Sequence, residues 1–263
     1  LHYPLRRQRQ MCIRDRYLTT DISQVSFYDY GEKIVTIPLT LITTLSTVMM
    51  PRIANEYANN NTTGMRELLI KAGKFSMMLA MPMMFGMAIC ANKLIPWYLG
   101  MAYTPSIMVI ILISPIIVTN SLSGISGNQY FVATNQTNLM LKAYISAAVL
   151  NILINAVLIP RYGCNGAAIA TVIAAVASVV IQYYYMHKQL NIGVFIGFSL
   201  KYLLYALIMG MGVLLVGIKL TANPMASAIQ VIVGVTIYSV ILLITKDENL
   251  MLLLRKIKSM KCL

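Results

Sequence analysis

Apolar residues run along this chain in blocks of about 20, the length at which a helix crosses a bilayer, and each block is closed by a short polar, basic or glycine- and proline-bearing segment. Seven blocks are legible, at about 22–50, 68–91, 104–131, 139–159, 164–185, 196–218 and 225–245. The sharpest punctuation is NILINAVLIPRYGCNGAAIAT, residues 151–171. An apolar helix there runs into Pro160, which has no N–H to donate, and Gly163 to Gly166 restart a second helix on small residues. With blocks of spanning length on both sides, this predicts a tight helix hairpin turning at a membrane surface. The expected fold class is all-α, a polytopic transmembrane helical bundle of about seven spans.

The first block carries a second periodicity. Asp29, Lys33, Thr36, Thr40, Thr44 and Thr47 recur at steps of three and four, so they share one face of an otherwise apolar helix. Charged groups at membrane depth face a bundle interior or a water-filled cavity, and Asp29 stands four residues before Lys33, within pairing reach. The stripe reads as the lining of a cavity. A competing reading has the threonines bonding back to their own helix and packing against a neighbour. Pro51 and Arg52 are expected to end this helix.

Later blocks add further polar candidates. Pro82 and Gly86 predict a kink in the second, and Pro96, Trp97 and Tyr98 mark its far interface, where aromatic rings favour the headgroup level. The second half of the third, TNSLSGISGNQYFVATNQT, is unusually polar for a spanning helix. Asn120, Ser123, Asn128 and Gln129 can there reach a ligand or another helix, with bends expected at Pro115 and around Gly124 and Gly127. Asn151 and Asn155 share one face of the fourth block, where interhelical packing competes with ligand contact.

Composition changes the picture in one respect. Hydrophobic residues make up 58% of the chain and charged residues 11%, against roughly 25% charged in a soluble domain, which excludes that class. The net charge of +13 suggests nucleic acid at first sight. Its basic residues, however, stand in short groups beside apolar blocks, as the positive-inside bias places them, and no nucleic-acid partner is inferred. Seven spans with the C-terminus inside put twelve basic residues on the cytoplasmic side: Arg52, Arg66, Lys71, Lys74, Lys142, Lys188, Lys201, Lys246, Arg255, Lys256, Lys258 and Lys261. Only Lys93, Arg161 and Lys219 fall outside, so a cytoplasmic C-terminus is expected. That orientation leaves the arginine-rich start, LHYPLRRQRQMCIRDR, on the wrong side. Residues 1–16, which lack the apolar core of a signal peptide, are read as a non-native leader to a membrane unit over 17–263.

The chemistry expected is binding, with no bond made or broken. The four cysteines show no CxxC spacing, and His2 and His187 are the only histidines. There is no HExxH and no nucleophile beside a general base, so a membrane glycan polymerase or acyltransferase is disfavoured and no metal or cofactor is expected. Nineteen methionines read as pliable core packing.

Three segments carry a resemblance. YDYGEKIVTIPLTLITTLSTVMMPRI (28–53), GNQYFVATNQT (127–137) and, above all, the Asn151, Asn155, Pro160, Gly163, Gly166, Ala167 and Ala168 pattern resemble the C-terminal half of bacterial polysaccharide flippases. These belong to the multidrug/oligosaccharidyl-lipid/polysaccharide exporter superfamily. The resemblance implies one lobe of a two-lobed transporter in the bacterial inner membrane, its N-terminal lobe missing, that flips a polyprenyl-pyrophosphate-linked glycan. Such a path needs cations for the pyrophosphate and neutral polar groups for the sugars. Lys33 is then the candidate buried cation, partnered by Asp29 or Glu32, with Thr36 and Thr40 beside it. Lys71 and Lys74 would gather the anion at the cytoplasmic mouth, although positive-inside anchoring explains them too. Asn128, Gln129, Asn151 and Asn155 would face sugar, and Asp29 and Glu32 are the acids placed for proton or sodium coupling. A peptidoglycan lipid II flippase and a multidrug exporter of the same superfamily remain alternatives.

Overall fold

A computed structural model describes residues 22–187, 192–247 and 249–251. The leader 1–16, Lys188 and the basic tail from Arg255 lie outside the described residues. What is described is helical: α1 (Ile22–Ala58), α2 (Thr62–Tyr98), α3 (Ser106–Ile113), α4 (Ile116–Ser123), a π-helix (Gly124–Val132), α5 (Thr137–Met186), α6 (Ile192–Ile218) and α7 (Pro224–Ile244). Six segments are long and apolar enough to cross a membrane, with α3, α4 and the π-helix together forming one, Ser106–Val132. The protein is a multi-pass membrane protein.

Six helices and seven predicted spans are reconciled inside α5. Its 50 residues would extend roughly 75 Å as one rod, more than twice the ~30 Å of hydrocarbon. Gly163 breaks it, with φ 56° and ψ −132°. A Cβ added at Gly166 would meet the Leu158 carbonyl oxygen at 2.4 Å, whereas eight residues along a straight helix separate two positions by roughly 12 Å. The chain therefore doubles back here, as the Pro160–Gly166 pattern predicts, and α5 is two antiparallel arms.

One predicted stop is overturned: α1 continues through Pro51 to Ala58. Pro51 removes a single backbone bond on an exposed turn, where the freed carbonyl can be hydrated, so the helix runs on beyond its apolar block. The second helix likewise exceeds its apolar block, starting at Thr62 with Asn61 Oδ1 accepting from the Gly64 N–H at 3.0 Å.

Deeper prolines meet a different remedy. Pro82 lies inside α2 and cannot bond to Met78, four residues back; the Tyr238 hydroxyl of α7 donates to that carbonyl at 2.8 Å. Pro115 similarly leaves Ile111, and the Ser114 hydroxyl donates to it at 3.0 Å. Around Gly124 and Gly127, where a bend is expected, the helix widens to a π-helix, and the Gly124 carbonyl accepts from Ser46 of α1 at 3.0 Å.

α2 forms the centre of the bundle, with Leu69, Met77, Ala80, Ala91 and Ile95 fully buried. Its methionines 65, 77, 78 and 81 are buried too, in keeping with the pliable-core reading. Gly73 admits α6 closely, since a Cβ there would lie 2.9 Å from the Phe198 ring. At the far end, Lys93 donates to the Leu220 carbonyl at 2.6 Å and Trp97 to Ser227 at 2.9 Å, tying α2 to the α6–α7 turn.

Replacing Gly166 by Val drives a side chain into the Leu158 carbonyl and should lower stability by about 2 kcal/mol, the usual scale of overpacking. A melting temperature in detergent equal to wild type would mean the arms of α5 are not in contact there. Tyr238→Phe should cost about 1–2 kcal/mol, because it strands a buried carbonyl. An unchanged melting temperature in that variant would remove the hydroxyl from the repair of Pro82.

Candidate functional site

The outward face of α1 differs from those of the other spanning helices. Lys33, Thr36, Thr40, Thr43, Thr44 and Thr47 are all exposed on it, and Asp29 is half-buried at its start. Between them stand exposed apolar positions, Ile37, Leu41 and Val48. The outward faces of α6 (Ile196, Leu200, Leu204, Met211, Leu215), α7 (Val231, Ile232, Val235) and the first arm of α5 (Ile145, Ile152, Leu153) are largely apolar, with Thr236 and Ser146 as single exposed hydroxyls. α1 buries its other side, Tyr28, Val35, Ile42 and Ile53, against the bundle.

Hydrogen bonding on the polar face is local. Lys33 Nζ reaches Asp29 Oδ2 at 2.6 Å and lies 5.3 Å from the centre of the Tyr30 ring. Thr36 donates to the Lys33 carbonyl at 2.7 Å, Thr40 to Ile37 at 2.7 Å, Thr44 to Thr40 at 2.7 Å and Thr47 to Thr44 at 2.7 Å. These are the back-bonds of the competing sequence reading, yet among the described residues the threonine side chains stay exposed. Each hydroxyl spends its proton on the helix and presents oxygen lone pairs outward. Both partners of the ion pair are about half exposed, at 51% and 43%, so the pair is worth at most about 1 kcal/mol and can be exchanged for another anion at little cost.

The remaining candidates fall elsewhere. Glu32 is half-buried on α1, next to this face in sequence. Lys71 pairs with Glu67 at 3.3 Å on an exposed turn of α2. Lys74 lies in a separate cleft with Lys201 and Lys246. Asn128 is exposed on the π-helix, whereas Gln129 is buried and donates to Ser46 at 3.1 Å. Asn155, also buried, donates to Asn151 at 2.9 Å. Gln129 and Asn155 each keep one buried carbonyl oxygen without a partner among the described residues.

Sequence reasoning missed two constellations. Gln182 is fully buried, accepts from Ser126 at 2.7 Å and donates to Ser123 at 3.1 Å and Ser178 at 3.0 Å, binding the second arm of α5 to the π-helix. The signal was Ser178 four residues before Gln182, two polar groups on one helix face. Asp247 was the other; it sits just past the last apolar block, 2% exposed beneath Lys201.

With the geometry in place, comparison with known proteins fixes the family. The sequence profile of the family described as "Lipid II flippase MurJ" matches residues 13–236. The chain belongs to the MurJ family. It is 24% identical over 170 residues to the "Probable low-salt glycan biosynthesis flippase Agl15" of Haloferax volcanii, a match covering 65% of this chain and 36% of that one. Its fold is similar to that of a solved "Lipid II flippase MurJ, inward closed conformation", with a TM-score of 0.73 at 22% identity, over 87% of this chain and 48% of that structure. The chain thus spans half or less of the length of these relatives.

Cysteines placed at Thr40 or Thr44 should react with a hydrophilic thiol reagent about tenfold faster than cysteines at Leu204 or Ile152, because only the former meet water that supports the thiolate. Equal rates, read by mass shift in intact membranes, would show that the α1 face also lies against lipid.

Proposed function

We propose that this chain forms one lobe of a flippase that moves a polyprenyl-pyrophosphate-linked glycan across a membrane, and that the polar face of α1 lines the path. The observation that carries the reading is that exposed stripe of Asp29, Lys33 and threonines, on a spanning helix beside helices whose outward faces are largely apolar. A helix facing lipid gains nothing from such groups, whereas a charged diphosphate and a hydrated sugar both need them. Family membership supports transport without covalent chemistry, and coverage of 48% of the solved flippase supports a second lobe of similar size across the stripe.

Within that path Lys33 receives the pyrophosphate, exchanging Asp29 for the cargo anion. The outward lone pairs of Thr36, Thr40 and Thr44 accept from sugar hydroxyls. Asp29 and Glu32 remain the acids for ion coupling. Exposed Asn128 can reach cargo; Gln129 and Asn155, buried with partners in the bundle, contribute through packing unless the lobes move.

The basic residues Arg52, Arg66, Lys71, Lys142, Lys201 and Lys246 share the side on which α2 and α6 begin and α7 ends, which supports a cytoplasmic C-terminal side. Lipid II is the second reading of the cargo, favoured by the description of the matching family. The glycan named for Agl15 favours an oligosaccharide of another kind.

Lys33→Ala in the full-length protein should lower export of the lipid-linked glycan about tenfold at unchanged abundance, with Lys33→Arg retaining most of it. Full export by the alanine variant at normal abundance removes Lys33 from the path.

A further inference from the structure

A cleft of about 470 Å³ opens where α2, α6 and the end of α7 meet, lined by Lys74, Gly197, Lys201, Tyr202, Lys246 and Asp247 among others. None of its walls comes from α1, so it is not part of the translocation face.

The floor of the cleft is built and the rim is basic. Asp247 accepts from Lys201 at 2.6 Å, from Tyr202 at 3.1 Å and from the backbone N–H of Asn249 at 3.1 Å, while Asn249 donates to the Tyr202 hydroxyl at 3.0 Å. Burial pushes the Asp247 carboxyl up, but the Lys201 ammonium and these hydrogen bonds outweigh it and hold the group below its ordinary value. Asp247 is thus a satisfied anion facing inward. Lys201 keeps 43% of its side chain exposed over the opening, 5.5 and 5.7 Å from the Tyr202 and Tyr205 rings. Lys246 is exposed, and Lys74 completes the wall. Glu248 lies outside the described residues; even counting it, lysines outnumber carboxylates three to two.

Depth and surroundings identify the kind of anion. The 37 residues of α2 measure roughly 55 Å, about 25 Å more than the hydrocarbon, and Trp97 and Tyr98 near its far end mark that interface. The overhang is therefore on the side of Lys74, which stands roughly 18 Å along the helix from Thr62, at headgroup level. From the cleft, exposed apolar rows run into the bilayer along α6 (Leu204, Ile208, Met211) and α7 (Ile244, Leu243, Val240). A soluble anion would use the lysines and ignore these rows; a phospholipid uses both.

We propose that this cleft binds the phosphate of an anionic phospholipid from the surrounding leaflet, with its acyl chains on the apolar rows of α6 and α7. Bound there, the lipid joins α2, α6 and the end of α7 through one phosphate. The site stands whether or not α1 carries cargo, since its test reads binding alone.

Two variants leave the Asp247 floor intact. Gly197 lines the cleft and a Cβ there meets nothing within 4 Å, so Gly197→Leu projects its side chain into the opening. Lys246→Gln removes one exposed rim charge. Native mass spectrometry of the full-length protein in detergent, titrated with phosphatidylglycerol, phosphatidylcholine or inorganic phosphate, should show one phosphatidylglycerol retained in preference to phosphatidylcholine. That binding should weaken about fivefold in Lys246→Gln, the share of one lysine near a membrane surface, and disappear in Gly197→Leu. Equal retention of the two lipids, or undiminished phosphatidylglycerol binding in both variants, overturns the site. Displacement of the lipid by equimolar inorganic phosphate identifies a soluble ligand and overturns it as well. Should Gly197→Leu fail to fold, the exposed Lys246→Gln substitution decides.

Discussion

In hydrocarbon no water is at hand to satisfy a backbone N–H or C=O, and this one constraint organises the bundle. A continuous helix meets it automatically, so the interest lies where the helix is broken. Pro82 and Pro115 each free backbone groups inside the apolar layer, and the Gly163 reversal frees them where α5 turns back. Each has a side chain assigned to it: Tyr238 donates to Met78, Ser114 donates to Ile111, and Gln24 accepts from the Cys164 N–H that opens the second arm of α5. At the end of α6 the Lys93 ammonium serves the Leu220 carbonyl in the same way. Several of these repairs come from another helix, so they also lock the packing: Tyr238 holds α7 on α2, and Gln24 holds α1 on α5.

The same constraint sorts the polar side chains of the membrane layer into two classes. One class is buried and serves the protein itself, as with Gln182 among Ser123, Ser126 and Ser178, or Gln129 on Ser46. The π-helix belongs with it: its irregular backbone is tolerated because α1 and α5 supply donors and acceptors around it. The other class, the threonines of α1, is exposed and donates to its own helix. Residue type does not separate the two, for threonine is buried at Thr119 and Thr134 and exposed along α1. Orientation does.

That distinction sets how much was legible in the sequence. Period and proline–glycine punctuation determine helices and reversals locally, so the long apolar helices, the reversal at Gly163 and the irregularities at Pro115 and Gly124 could be read. The polar face of α1 was readable for the same reason, since the period of a helix fixes which residues share a side. Whether a polar residue is buried depends on which helix packs against it, and that is a long-range fact. Gln129 and Asn155 look as available as Asn128 in one dimension, and Gln182 looks like nothing at all. Pro51 does not stop its helix for an energetic reason: its orphaned carbonyl lies on an exposed turn, where water can serve it.

The hydrogen bonding of the α1 stripe also bears on the orientation of cargo. Its threonines have committed their protons to Lys33, Ile37, Thr40 and Thr44 carbonyls, so the stretch from Thr36 to Thr47 offers acceptors and repels an anion. Lys33, at one end of that stretch, offers donors. On the proposed reading a glycan diphosphate can therefore lie along α1 in only one sense, with its phosphates at Lys33 and its hydroxyl-rich sugars over the threonines. Reversal would set phosphate oxygens against threonine lone pairs, leaving desolvated negative charge without a donor, the costliest arrangement available in such a cavity. The Asp29–Lys33 pair keeps the cation from the same fate when no cargo is present, and its half-exposed geometry keeps the exchange cheap.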